Sequence, residues 1–484
     1  MARTNLLIPV RLAGGAASVL LLAGCISVPE APASDPFVLS GDEFRAAAPG
    51  EPVSAEWWNG FSDPALPRLV EMALRNAPAL RGADFSIAEA EALLTLAILD
   101  AGPTANSRVG ATAGRQAGAA SSRIDVSSNA ALAASWEFDA FGRLAAGIEA
   151  ARFDTLAARE IRRDLAVSIA AETALAYINL RGAEARLDVA RRSAGAQAEG
   201  LELVRTLVDN GRGTRLDFDR AEALYRTTLA ALPALQSDRE AALNRLAALT
   251  GNQAQSPDAL MADILAAPGT IPVLAASLTA GTPEILLRRR PDVRLAEARI
   301  GSALALSDAA RASLFPTVTL NANLLGLVRN RGVTFNENSI GFDIGPAISW
   351  AGPDLRPVYA RIEASDARSG RLVADYETTV LDALADAETA LTDLVTEQSR
   401  TADLEAAMSA ADRALGLATL RYREGLDSYL TVLDAQRTLL DAEDRLAVNR
   451  AETARRAVRA YRSLGGIWTD EELGAFRAEQ DTTP

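Results

Sequence analysis

The chain repeats itself at an offset of 213 to 214 residues. Pro78 and Pro103 return as Pro291 and Pro316 at an offset of 213, and Trp136 and Gly211 return as Trp350 and Gly425 at 214. Leu216 and Ala221 recur as Leu430 and Ala435. Spaced landmarks that hold one offset to within a residue imply two structurally equivalent halves.

Between the second proline and the tryptophan of each half lies a pair of alternating segments. In the second half, Val318, Leu320, Ala322 and Leu324 alternate with Thr317, Thr319, Asn321 and Asn323. From Ser339 to Trp350, Ile340, Phe342, Ile344, Pro346, Ile348 and Trp350 share one face. Period two over this length is a strand signature, and Leu325 to Asn338, rich in Asn, Arg and Gly, reads as the hairpin loop. The first half repeats the plan with Ala130, Leu132, Ala134, Trp136 and Phe138, after a polar loop around Gln116 to Ser128. Its first strand, roughly Thr104 to Gly114, is nearly all small residues.

Strands with one apolar and one polar face fit a soluble sheet on a core. They fit equally a membrane barrel wall, for which about 9–11 tilted residues suffice. Trp136 and Trp350, both at strand ends, suit the aromatic girdle at a membrane interface.

The N-terminus bears on that choice. Arg3 and Arg11 precede an apolar run from Ala16 to Leu22, the pattern of a secretory signal. Leu22-Ala-Gly-Cys25 resembles the bacterial lipoprotein processing box, which implies cleavage before Cys25 and its lipidation, palmitate included. Ile26 rather than Asp in the next position implies an outer-membrane address. Cys25 is the only cysteine, so neither a disulfide framework nor a thiol metal site is available. One lipid group binds a membrane only marginally, so a second membrane element is expected, and the hairpins would supply it.

Removing residues 1–24 leaves 460 residues and takes the net charge from −14 to −16. Such an acidic chain argues against a nucleic-acid partner. All 49 basic residues are arginine. No run of 18 or more uncharged apolar residues follows Cys25, so no transmembrane helix is expected.

The remainder is helical in pattern. A Pro-rich entry from Val28 to Pro67 reads as extended tether, Asp63-Pro64 opens a helix to about Asn76, and Pro78 begins another to about Asp100. Longer patterns cover Leu144–Asp209, Leu216–Thr250, Pro291–Leu314, Tyr359–Arg423 and Tyr429–Leu464. Breaks are expected near Gly182, Gly195 and the 400 region, and Pro233 should kink its helix. Segments of this size extend roughly 50–90 Å, several times the usual helix of about 11–12 residues. They predict a coiled coil, a bundle or a helical tube.

Four strands cannot close a membrane barrel, the smallest of which has about eight. An open edge in lipid leaves backbone groups unpaired at several kcal/mol each. The chain must therefore oligomerise to span. Three protomers would share twelve strands, with six hairpins above twelve helices.

Several segments match a known family: Ser135-Trp-Glu-Phe-Asp-Ala-Phe-Gly-Arg-Leu144, Leu287-Arg-Arg-Arg-Pro-Asp292 with Ala296 and Glu297, Leu314-Phe-Pro-Thr317, and Gly345-Pro-Ala-Ile-Ser-Trp350. The most specific pair is Arg421-Tyr-Arg-Glu-Gly425 with Tyr429-Leu-Thr-Val-Leu-Asp-Ala-Gln-Arg437. Over nearly the whole mature chain the sequence resembles the outer-membrane efflux proteins, the TolC-like channels, in their NodT-type lipoprotein branch. The resemblance implies a mainly α fold with a small membrane β part: a homotrimer with a twelve-stranded barrel on a long α-helical barrel. It implies an exit duct of a tripartite multidrug efflux pump in the bacterial outer membrane, lipid-anchored, with a large periplasmic part. The implied partners are outer-membrane lipid, a periplasmic membrane-fusion adaptor and an inner-membrane transporter, RND type, with no cofactor. After Trp350 the family continues with a Phe-Asp-Gly-Gly-Arg-like turn, whereas this chain has Ala351 to Pro357 reading Ala-Gly-Pro-Asp-Leu-Arg-Pro.

The implied organisation is a signal peptide over 1–24, a lipidated tether over 25–62, a first repeat over 63–270 with its hairpin at about 104–138, a second repeat over 271–466 with its hairpin at about 317–350, and a tail over 467–484. Gly211 and Gly425 sit between helical stretches, and Thr214 to Asp217 is an S/T-x-x-D cap. In the family these helix-turn-helix tips form the closed periplasmic entrance. By position Tyr422 matches the gate tyrosine and Asp434 an acid of the constricting ring. Asp427 falls where the family has a basic residue and Thr431 where it has a second acid. Thr214, Arg215 and Asp217 lie in the equivalent first-half turn.

Two other classes compete. With no histidine and one cysteine the chain lacks Cys/His or Ser/His/Asp machinery and the usual zinc sets. The pair Asp217 and Asp219 could serve a hydrolase, but in a helical, Arg-neighboured setting it reads as ion pairing, so no catalytic residue is assigned. The alternative to a duct is a lipid-anchored periplasmic coiled-coil scaffold or adaptor without a pore, for which the Ile340 to Trp350 alternation has no use.

Overall fold

In a computed structural model, residues 44–45, 56–114, 125–253, 261–262, 266, 269–275, 278, 281–329 and 340–465 are described. After a short 3-10 turn at Trp57–Gly60, the elements run α1 (Ala65–Asn76), α2 (Pro78–Asp100), β1 (Thr104–Gly114), β2 (Asp125–Phe138), α3 (Arg143–Asp209), α4 (Arg215–Leu249), α5 (Pro283–Arg289), α6 (Pro291–Ala312), β3 (Thr317–Arg329), β4 (Ile340–Ser349), α7 (Arg356–Arg423) and α8 (Tyr429–Ser463). The two halves share one order of elements, as the offset requires.

The chain divides into two compact units: residues within Ser86–Ala158 and Ala296–Tyr376 form one, and those within Phe37–Phe85, Arg159–Leu295 and Glu377–Pro484 form the other. The first holds a four-stranded antiparallel sheet in the order β1-β2-β3-β4. Its central pairing joins the halves, from Ser127 opposite Arg329 to Phe138 opposite Val318. Where helices meet strands, Leu314, Val358 and Ile362 form a buried cluster, and Phe141 stacks on Phe315 at 4.6 Å. Glu137 at the end of β2 is clamped by two guanidinium nitrogens of Arg143, at 3.1 and 2.7 Å. After β4 the chain turns through a cis Gly352–Pro353 peptide, and the Trp350 indole N–H donates to the Leu314 carbonyl at 2.9 Å.

The second unit is helical. Asp63 caps α1 by accepting from the amides of Ala65 and Leu66, at 2.8 and 3.3 Å. Its other oxygen accepts from the buried Tyr177 hydroxyl at 3.0 Å, onto which Arg181 donates, also at 3.0 Å. Burial pushes the Tyr177 phenol up to about 12, so it stays neutral. Trp57 stacks on Tyr461 at 5.2 Å. Ion pairs run between helices, all built on arginine: Arg186–Asp444 and Arg239–Glu184 at 2.7 and 3.2 Å, with Arg245–Glu172 and Arg456–Asp393 beside them.

Two expectations need correcting. α3 and α7 are unbroken over 67 and 68 residues, so Gly182, Gly195 and the 400 region interrupt nothing. At Gly182 a side-chain carbon would sit 3.0 Å from Ala451, so this glycine serves close helix contact. In the 400 region, Thr401 donates to Asn449 of α8 at 2.8 Å, and Asn449 donates to Glu397 at 2.6 Å, tying the helix down. The strands also outrun their alternation. β2 begins at Asp125, where it still pairs with Gly114 of β1, and β3 ends at Arg329 opposite Ser127, because backbone pairing continues after the side-chain pattern stops at Leu324-Leu325. α4 contains Pro233 within its 35 residues.

Candidate functional site

The sheet in the first unit has two chemically opposed faces. Residues directly opposite in antiparallel strands share a face, so the register sorts them. One face presents rows such as Leu132–Leu324–Phe342, Ala134–Ala322–Ile344, Trp136–Leu320–Pro346 and Phe138–Val318–Ile348. Among the described residues nothing covers it: Phe342 is 80% exposed, Ile344 68% and Val109 85%. The other face is polar and bonded along itself. Ser135 donates to Asn321 at 2.8 Å, Asn321 to Thr319 at 3.2 Å, and Asn323 to Asp343 at 2.8 Å. β1 and β4 each pair on one side only among the described residues, so both edges of the sheet are open. Among the described residues no helix is long and apolar enough to cross a membrane.

Trp136 lies in β2 on the apolar face, beside Phe138 at 6.1 Å. Trp350 stands just past β4, half-buried.

In the second unit the turns α3–α4 and α7–α8 are built alike. Gly211 and Gly425 take φ +69° and +72°, the left-handed region where a side chain is strained. In each turn the amide after the glycine reaches back six-to-one: Arg212 to the Leu207 carbonyl at 2.8 Å, and Leu426 to the Arg421 carbonyl at 2.9 Å. This is the Schellman ending of a helix, and its atoms obey the same offset as the sequence. Thr214 then caps α4, accepting from the Asp217 amide at 3.1 Å while its hydroxyl donates to the Asp217 carboxylate at 2.6 Å. Ser428 holds the equivalent N-cap of α8 without a side-chain bond.

The candidate gate residues gather at these turns but do not all meet. Tyr422 and Tyr429 lie 5.1 Å apart, centroid to centroid, over a cluster including Val204, Ala221, Val432 and Leu433. Burial, and then the charge of Asp217 in the other turn, raise the Tyr422 phenol above its ordinary value. Arg215 turns to its own helix: it pairs with Asp219 at 3.0 Å and covers the Phe218 ring at 4.8 Å. Asp427 is held by Arg421 at 2.7 Å. Thr431 and Asp434 are exposed at the start of α8, and among the described residues the Asp434 carboxylate has no partner. Cys25 lies outside the described residues.

Sequence reasoning passed over the contact that brings α8 onto α3. A side-chain carbon at Gly200 would lie 2.5 Å from the Tyr429 hydroxyl, so the glycine admits the tyrosine. Burial pushes that phenol up to about 12, with Tyr422 adding to it. Nearby on the same helices, the buried Gln197 amide and the Gln436 carbonyl oxygen have no partner among the described residues. Only a glycine inside a strong helical pattern could have signalled this site.

Comparison with known proteins agrees with this geometry. The family described as "Outer membrane efflux protein" matches residues 69–252 and 282–466. Outer membrane protein OprJ of Pseudomonas aeruginosa is 31% identical over 467 residues, covering 93% of this chain and 95% of that one. Nodulation protein T of Rhizobium leguminosarum bv. trifolii is 28% identical over 435 residues, covering 88% and 91%. Among solved structures, the outer-membrane channel OprN superposes with a TM-score of 0.81 at 35% identity, over 91% of this chain and 99% of that one.

Proposed function

Because this chain belongs to the outer membrane efflux protein family, it is an outer-membrane efflux component, and we propose that it works as a homotrimeric, passive exit duct. The observation that carries the trimer is the sheet. Its uncovered apolar face suits lipid, and its two open edges cannot remain unpaired there. Two copies would give eight strands, whose interior side chains fill, whereas three give twelve and leave a passage lined by the polar face. α2 adds support, since its 23 residues bury only Leu80 while Leu93, Leu96 and Leu99 stay exposed. A helix this apolar is expected to be covered in an assembly.

The duct would receive solutes from a periplasmic adaptor and an inner-membrane transporter of the RND type. Affinity purification in mild detergent tests both levels. The expected result is three copies per particle carrying both partners, and single-channel steps when the particle enters a planar bilayer. A stable monomer without conductance would favour the poreless scaffold instead.

Cys25 would add a lipid anchor to this assembly. Radiolabelled palmitate should enter the wild type and not Cys25→Ser. Labelling that persists in the variant would exclude Cys25 as the acceptor.

A further inference from the structure

The polar face of the sheet carries three charged residues whose side chains are described: Arg108 on β1, Glu137 on β2 and Asp343 on β4. Glu137 is neutralised by Arg143 at 2.7 Å, whereas Asp343 accepts only from the neutral Asn323 amide at 2.8 Å and keeps its charge. Arg108 is exposed and has neither ion pair nor hydrogen bond among the described residues. The register explains its isolation. Its own row, Arg108–Ala131–Leu325–Gly341, offers it no acceptor side chain, and Asp343 lies three strands away in the next row on this face. Three strand spacings amount to about 14 Å.

We propose that Arg108 is a solute-selecting residue of the lumen, three copies forming a cationic collar that draws in anionic solutes bearing carboxylate, phosphate or sulfonate groups. The inference rests on the reading that the polar face lines a shared twelve-stranded passage. Arginine suits such a collar because its guanidinium stays charged at any physiological pH and presents a fork that fits these oxyanions. The size of the effect follows from Coulomb's law. By themselves, three unit charges held about 10 Å from the axis shift the anion-to-cation ratio about threefold at 0.15 M salt, and roughly twentyfold at 0.01 M. If Arg108 has no role in passage, its removal leaves the ratio unchanged.

The test uses a reporter thiol. Asn106 is the next residue on the same face, exposed and unbonded among the described residues, and Cys25 is the only native cysteine. Intact cells making the full-length Asn106→Cys protein are treated from outside with anionic and cationic methanethiosulfonate reagents. Access from that side does not cross the gate. The ratio of anionic to cationic labelling rates is then compared with that of Asn106→Cys carrying Arg108→Gln. The ratio should fall about threefold at 0.15 M and further at lower salt, and Arg108→Lys should restore it. An unchanged ratio would mean that Arg108 is neutralised in the closed barrel, by Asp343 of the neighbouring copy for instance, and would overturn the proposal. If Asn106→Cys escapes labelling while Val109→Cys on the opposite face reacts, the lumen reading itself fails and the collar with it.

Discussion

Replacing Ile344 by arginine should abolish assembly in the outer membrane. Ile344 sits in the middle of β4 on the uncovered face, in a row with Ala134 and Ala322, and is 68% exposed in the protomer. Arginine at the midplane of a lipid-facing strand costs about 2–4 kcal/mol. Three copies would together cost about 6–12 kcal/mol, as much as the whole stability of an ordinary domain at about 5–15 kcal/mol. Asn106→Arg on the polar face adds the same charge where water is expected and should assemble normally. Unboiled gel electrophoresis of outer-membrane fractions separates the outcomes. Equal trimer yields from both variants would mean that the apolar face does not meet lipid.

Tyr422→Phe combined with Asp434→Ala should open the entrance. Tyr422 keeps its ring against Tyr429 in the phenylalanine variant, so the packing at the turn survives. Its hydroxyl and the exposed Asp434 carboxylate have no hydrogen-bond partner among the described residues, which leaves both available to neighbouring copies. Losing two such contacts in each of three copies, at about 1 kcal/mol apiece, removes about 6 kcal/mol from the closed state. A shift of about 5.5 kcal/mol moves a two-state equilibrium from 1:99 to 99:1. Bilayer conductance should therefore rise severalfold, and cells should become sensitive to bulky antibiotics such as vancomycin. If the double variant conducts like the wild type across salt concentrations, the gate lies elsewhere and these residues only build the turns.

Much of this architecture is legible in the residues. The alternation from Ile340 to Ile348 gives a strand and its two faces, because side-chain direction in a strand depends on nothing but parity. Gly211 and Gly425 mark turns because the left-handed backbone excludes other residues there. What the sequence hides is decided by partners distant in the chain. Gly182 looks like a break until Ala451 is packed on it, and β3 looks finished at Leu324 until β2 extends the ladder to Arg329. Arg215 shows the same limit at the candidate gate. Its nearest acid, Asp219 one helical turn away, is available at once, whereas any contact with a second copy depends on an interface that no local pattern encodes.

The pairing of β2 with β3 also dictates an order of events. Phe138 lies opposite Val318, so the central seam of the sheet joins segments 180 residues apart. Closing a loop of that length has an entropic cost that local contacts cannot offset beforehand, and contacts so remote in sequence form slowly. In a chain exported from its N-terminus, the first hairpin reaches the periplasm before the second. It must wait, apolar face bare, until the second hairpin follows it across the inner membrane. The membrane part of this protein is consequently the last to mature and the most exposed to aggregation during biogenesis, which is where periplasmic chaperones have the most to shield.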